Sequence, residues 1–146
     1  MQRRCRIFPR AVRRYCDGVL HALAIPDHIL TVVFVSDNRI RALNRMYRGR
    51  DRATDVLSFG YPGETVEGAL FLGEIVIAPE IARREAVRRR TTTAKEVRRL
   101  LVHGILHLLG YDHEADAGEM NALQRRLLRR RIPGASEVLA EPNGGT

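Results

Sequence analysis

Two almost unbroken apolar runs, ILTVVFV at 29–35 and FLGEIVIA at 71–78, limit what this chain can fold into more than any other feature. Both are rich in β-branched residues and both read as strands. A run without alternation has no polar face to give to water. The first is therefore expected to be covered on both sides, and the second to lie centrally in its sheet. A third, shorter strand is expected at DVLSF, 55–59, followed by a glycine-rich connection over 60–69.

Helices must supply the covering layer. Pro9 suits the first turn of a helix running to about residue 24, with Val12, Tyr15, Cys16, Val19, Leu20 and Leu23 on one face. Ser36 caps a second, in which Ile40, Leu43, Met46 and Tyr47 turn inward and Arg39, Arg41, Arg45 and Arg48 stay in water, until Gly49 ends it. Pro79 begins a third, carrying Arg83, Arg84, Arg88, Arg89 and Arg90. Thr93 and Glu96 have capping-box spacing for a fourth, and Gly110 is its left-handed stop. Asp116 and Glu119 repeat the cap signature before a last helix with Met120, Leu123, Leu127 and Leu128 inward, halted by Pro133. The layout is α+β: one small domain over 1–132, a mixed β-sheet packed against several helices, and a flexible tail over 133–146.

The net charge of +8 raises the local concentration of a polyanion and so permits nucleic acid, though a merely basic soluble protein has the same balance. Cys5 and Cys16 are too few to staple a 146-residue fold. They read as reduced thiols of an intracellular, cytoplasmic protein, in keeping with the lack of a signal peptide. No apolar run approaches the roughly 20 residues that cross a bilayer, so no membrane is expected.

The stretch HGILHLLGYDH, 103–113, holds three histidines in eleven residues. His103 and His107 are four apart on a predicted helix and hence share a face, about 5–6 Å between Cβ atoms. A stop at Gly110 lets the chain double back and bring His113 to the pair. Three imidazoles suit one zinc ion with a position left for water; copper, nickel or iron would accept the same nitrogens. The alternative is a set of structural histidines, each with its own partner. The spacing also resembles the metallopeptidase pattern H-E-x-x-H-x-x-G-x-x-H, but Gly104 stands where that chemistry needs its glutamate, and peptidase activity is set aside.

HGILHLLGYDH closely resembles the signature of the YbeY-type endoribonucleases, or ribosomal RNA maturation factors. LNRMYRGRDRATDVLSFG (43–60) and LFLGEIVIA (70–78) resemble two further motifs of that family, with Glu74 where an aspartate is common, and Met120 falls where a methionine is usual. The resemblance spans about 31 to 128. It implies a single α+β domain with one zinc on His103, His107 and His113, metal-site histidines on a central helix and the turn after it. It further implies zinc-dependent cleavage of single-stranded RNA, maturation of the small-subunit ribosomal RNA 3′ end, and ribosome quality control. The partners implied are single-stranded RNA, small-subunit ribosomal RNA, and the ribosome or its associated factors. Many members carry another histidine where this chain has Arg99. A different class of function is a non-catalytic, zinc-containing RNA- or ribosome-binding assembly factor.

The resemblance gives Arg48 an active-site role. On the residues alone, Arg48 sits at a helix end in a run with Arg45, Arg50 and Arg52, and a guanidinium fork suits a phosphate gathering charge. Asp55 is read as orienting Arg48 or capping a turn, Ser58 as a phosphate contact or a corner residue, and Asp112 as approaching the site from its turn. Arg45, Arg88 and Arg89 are the basic residues expected to face RNA, in a cleft bordered by Arg48 and at least one arginine of the 83–90 helix.

Overall fold

The computed structural model describes residues 6–25, 27–61, 64–112, 114–135 and 139–140. Along the chain run β1 (Arg6–Ile7), α1 (Pro9–Ala22), β2 (His28–Phe34), α2 (Asp37–Arg48), β3 (Val56–Gly60), β4 (Thr65–Val66), β5 (Ala69–Ile77), α3 (Pro79–Arg88), α4 (Thr93–Leu108), α5 (Glu119–Arg129) and β6 (Leu139–Ala140). The arrangement is α+β, as the order of strand and helix patterns predicts.

The main sheet has the order β2-β5-β3, and β4 folds back on the first residues of β5. β5 is central: parallel to β2 and antiparallel to β3 and β4. Within the expected tail over 133–146, Leu139–Ala140 pairs with Arg6–Ile7 in a separate two-stranded sheet. Residues 136–138 and 141–146 of that tail lie outside the described residues.

One irregularity in β5 sets which side chains meet which layer. Ile29 pairs with Phe71 and Leu30 with Gly73, so β5 carries one residue more than its partner, and Gly73 takes φ +135. The extra residue shifts the alternation, which lets Leu72, Ile75 and Ile77 all join the main core with α1, α4 and α5. Glu74 and Val76 then point to the opposite face. There α2 closes a smaller core around Ile40, Leu57, Val76 and Ala78. At 12 residues, α2 is about 18 Å long and covers only part of that face.

This unequal cover corrects two expectations. β2 is an edge strand, not one covered on both sides; Thr31 is exposed and Val33 is 40% exposed. Its apolar run reports one half-buried face plus one largely open face. Met46 and Tyr47 likewise point outward, at 67% and 61% exposure, because α2 turns Ile40, Leu43 and Asn44 toward the sheet.

Caps hold the helices where the sequence suggests, with one shift. Ser36 Oγ accepts from the Arg39 backbone N–H at 3.1 Å. For α4 the cap is Thr92, whose Oγ1 accepts from Lys95 N–H at 3.1 Å, whereas Thr93 is already helical and buried. Gly118 is the N-cap of α5, and the Asp116 carboxylate accepts from Gly118 and Met120 N–H at 2.8 and 3.0 Å. The described helices include none long and apolar enough to cross a membrane.

Candidate active site

α4 is the helix on which the site is built. It buries Val97, Leu100, Leu101, Val102, Ile105 and Leu106 in the main core. Each such side chain contributes on the order of 1.5–3 kcal/mol relative to exposure, which fixes the rotation of the helix. Gly104 lets it come close to the sheet: a Cβ there would stand 2.8 Å from Ile75 Cδ1 and 3.2 Å from Ser58 Oγ. Position 104, where a zinc peptidase carries its glutamate, therefore faces β5 and β3 rather than solvent. The helix ends as expected at Gly110, φ +101, where Tyr111 N–H donates to Leu106 O and Gly110 N–H to His107 O, both at 3.0 Å.

Ser58 joins this helix to α2. Its side chain lies against Gly104, while its carbonyl accepts from Arg48 Nη2 at 2.5 Å. The Arg48 guanidinium also lies 5.2 Å from the Phe59 ring centroid, and Phe59 meets Tyr47 edge to face at 5.4 Å. Arg48 is thereby tied to β3 over Phe59, on the α2 face of the sheet, while Gly104 of α4, between the two histidine turns, packs on the Ser58 side chain of the other face. Ser58, expected as a phosphate contact or a corner residue, supports Arg48 through its backbone carbonyl.

His103 is half-buried and its Nδ1 lies 3.1 Å from Gln124 Oε1 on α5, whereas His107 is exposed. Gln124 escaped the sequence reading. The available signal was a polar side chain at the second place of an inward i, i+4, i+7 stripe, Met120–Gln124–Leu127.

The zinc expected on His103, His107 and His113 is corrected here, and with it the metal-site clause of the fold reading. Among the described residues no group of three or more His, Cys, Asp or Glu side chains is placed to hold a metal ion. The His103 and His107 rings stack 6.3 Å apart and within 6° of parallel. His103 further engages Gln124 through Nδ1. His113 lies outside the described residues.

The other candidates fall in several neighbourhoods. Asp55, at the start of β3, is near Arg99, Glu96 and Glu85; burial pushes its carboxyl above the ordinary range, and Arg99 pulls it partly back. It is not the partner of Arg48. Asp112 Oδ1 accepts from Glu114 N–H at 3.0 Å and holds the turn after α4. Arg45 is exposed on the last turn of α2, close to Arg48 in sequence and in space. Arg88 and Arg89 bind Glu85 on their own helix at 2.6 and 3.1 Å. Arg89 lines a hollow with Lys95 and Arg99 at the other end of α4 from the histidines.

Arg99 has a structural duty of its own. It clasps Glu96 through Nε at 3.2 Å and Nη2 at 2.6 Å, and the Glu96 side chain is only 1% exposed. Removing one partner of a buried pair strands the other charge, a loss of about 3–5 kcal/mol. Arg99→Ala is accordingly expected to lower unfolding free energy by about that much in urea denaturation. Replacing both residues by leucine should recover most of it. A single Arg99→Ala variant as stable as the parent would show the pair to be unimportant.

The chain matches the family model described as Endoribonuclease YbeY over residues 5–131. Among curated proteins it is 43% identical over 108 residues to the endoribonuclease YbeY of Thermodesulfovibrio yellowstonii, covering 72% of this chain and 68% of that one. With that of Anaeromyxobacter sp. the identity is 45% over 122 residues, covering 82% and 63%. The chain thus spans about two thirds of the length of these relatives. A solution structure of a Thermotoga maritima protein is similar with TM-score 0.62 and 34% identity, covering 82% of this chain and 78% of that chain.

Proposed function

The chain belongs to the endoribonuclease YbeY family, and on that premise we propose that it cuts single-stranded RNA internally, acting in the cytoplasm on small-subunit ribosomal RNA during 3′ end maturation and in ribosome quality control. The observation that carries the reading is the meeting at Ser58, with the Arg48 guanidinium held on its carbonyl and the histidine-bearing turns of α4 packed on its side chain.

That meeting supplies two things a phosphodiester needs. A guanidinium has five N–H donors in a planar fork, so one bond to Ser58 O leaves others for phosphate oxygens as they gain charge. The imidazoles of α4 add ring nitrogens that can donate or accept hydrogen bonds. The contact of His103 Nδ1 with Gln124 Oε1 at 3.1 Å fixes the orientation of that ring. His107 is exposed and can reach a substrate without rearrangement of the core. Arg45 extends the positive rim. The net charge of +8 aids encounter with RNA at any point on the surface.

Cleavage of a labelled single-stranded RNA, the corresponding duplex and the corresponding DNA tests the proposal. Internal cuts in single-stranded RNA are expected, and the product ends identify the nucleophile. A 2′,3′-cyclic phosphate indicates attack by the ribose 2′-OH; a 3′-OH with a 5′-phosphate indicates attack by water. Folded protein that binds the single strand without cutting it would replace this reading with that of a binding factor.

A further inference from the structure

The uncovered half of the sheet face beside Arg48 forms a groove that shares Arg48 with the cleavage site. It encloses about 580 Å³, within the range of small-ligand sites, and is lined by Val33, Tyr47, Arg48, Tyr61 and Glu74 among others. We propose that this groove receives one unstacked base of the RNA, and that Glu74 makes it prefer guanine. The inference rests on the RNA reading above and names a base subsite within it.

The aromatic geometry is the first support. Tyr47 and Tyr61 are both exposed at the groove. Each is braced by a phenylalanine edge, Tyr47 by Phe59 at 5.4 Å and Tyr61 by Phe71 at 5.0 Å, both steeply inclined. Bracing by edge contacts holds a ring while leaving a face for a partner. Unstacked bases are held by such faces, and aromatic side chains on an open sheet are a recurrent platform for them. Phe59 itself carries the Arg48 guanidinium over its ring, so it positions the subsite rather than stacking on the base.

Charge supplies the second support and the specificity. Arg48 belongs to both the groove and the cleavage site, so a nucleotide with its phosphate on Arg48 has its base beside the groove. Glu74 lies in the row Thr31–Glu74–Phe59 across the sheet, on the groove side of the Gly73 bulge. A carboxylate there disfavours the sugar-phosphate backbone and accepts hydrogen bonds from a base. Guanine offers an adjacent pair of donors, N1–H and the N2 amine, which two carboxylate oxygens can take together. Adenine presents an acceptor at N1, and uracil places a single donor between two carbonyls. Adenosine nucleotides should therefore bind at least about tenfold more weakly, the discrimination a bidentate base contact supplies.

Guanosine, inosine and adenosine 5′-monophosphates are suitable probes, because they carry the phosphate and the base but no internal bond to cut. Titration of the full chain, followed by NMR shifts or calorimetry, should give the affinity order guanosine, inosine, adenosine, since inosine lacks the N2 amine. Glu74→Gln should bring the guanosine-to-adenosine ratio near one, and Tyr47→Ala should weaken both nucleotides together. The ratio is insensitive to partial misfolding, which lowers both affinities. A parent protein without guanine preference, or a Glu74→Gln protein that keeps it, overturns the subsite. If the preference is found but single-stranded RNA is neither cut nor bound, the RNA reading fails and the subsite stands. If RNA is cut and no preference is found, the subsite alone fails.

Discussion

Gly73→Ala is expected to cost more than about 4 kcal/mol, a large share of the roughly 5–15 kcal/mol that holds a domain together. Two effects add at this position. The backbone sits at φ +135, which L side chains rarely adopt, and a Cβ would stand 2.1 Å from Phe59 O and 3.0 Å from Gly60 Cα. The clash is with the backbone of the neighbouring strand, so no rotamer relieves it. Gly68→Ala isolates the first effect, since Gly68 has φ +86 and nothing within 4 Å of the added Cβ. It should cost only on the order of 1–3 kcal/mol. Urea denaturation of the two variants compares them directly. The consequence extends to the site, because the Gly73 bulge is what sends Ile75 under Gly104 and Glu74 to the opposite face. A Gly73→Ala protein with parental stability would show that the β5–β3 pairing is not as close as described.

The second large effect is on turnover. Arg48→Glu should reduce cleavage of single-stranded RNA by about 10²–10³-fold or more, the usual consequence of losing a preorganised donor at a site of developing charge. Reversal also places a carboxylate against the phosphate. Because the interaction is local, raising the salt should not restore the rate, whereas diffuse attraction is screened over about 10 Å at 0.1 M. Arg48→Lys should recover only part of the loss, since an ammonium cannot both bond Ser58 O and present a planar fork. Neutralising Arg88 and Arg89 together should leave the salt dependence of RNA binding unchanged, because both are engaged with Glu85. Equal losses from the Arg48 and the Arg88/Arg89 changes would mean that charge acts only in bulk.

Much of this arrangement is legible in the sequence, and the parts that are not have physical reasons. β5 announces itself as central through an unbroken apolar run, and α4 through its apolar stripe and the stop at Gly110. The same kind of run misleads at β2, because apolar content reports tolerance of burial and does not count the layers present. Met46 and Tyr47 fit an inward stripe on paper. The rotation of α2 is instead set by Ile40, Leu43 and Asn44 meeting β3 and β5, a tertiary choice. Thr92 and Thr93 are equivalent cap candidates until the direction of entry is known. The family motif directs attention to Arg48, but only the fold reveals that Ser58 O holds it and that Asp55 belongs to the Arg99–Glu96 neighbourhood. Helical spacing places His103 and His107 on one face, yet it says nothing of ring orientation; the parallel rings and the Gln124 contact depend on α5. The arginines of α3 illustrate the same limit, since their number is visible in sequence and their pairing with Glu85 is not.

The central claim, that the histidine turns of α4 and Arg48 form a reacting centre rather than a binding surface, is tested most directly with His107→Ala. His107 is exposed, so its loss should leave the fold intact. Single-turnover cleavage and RNA affinity should be measured on the same preparation with the same single-stranded RNA. The predicted result is a fall in the cleavage rate of about 10²–10⁴-fold, the contribution typical of a positioned proton-transfer group, with the affinity retained. Cleavage that falls only in step with RNA affinity, or that persists at the parental rate, would contradict it.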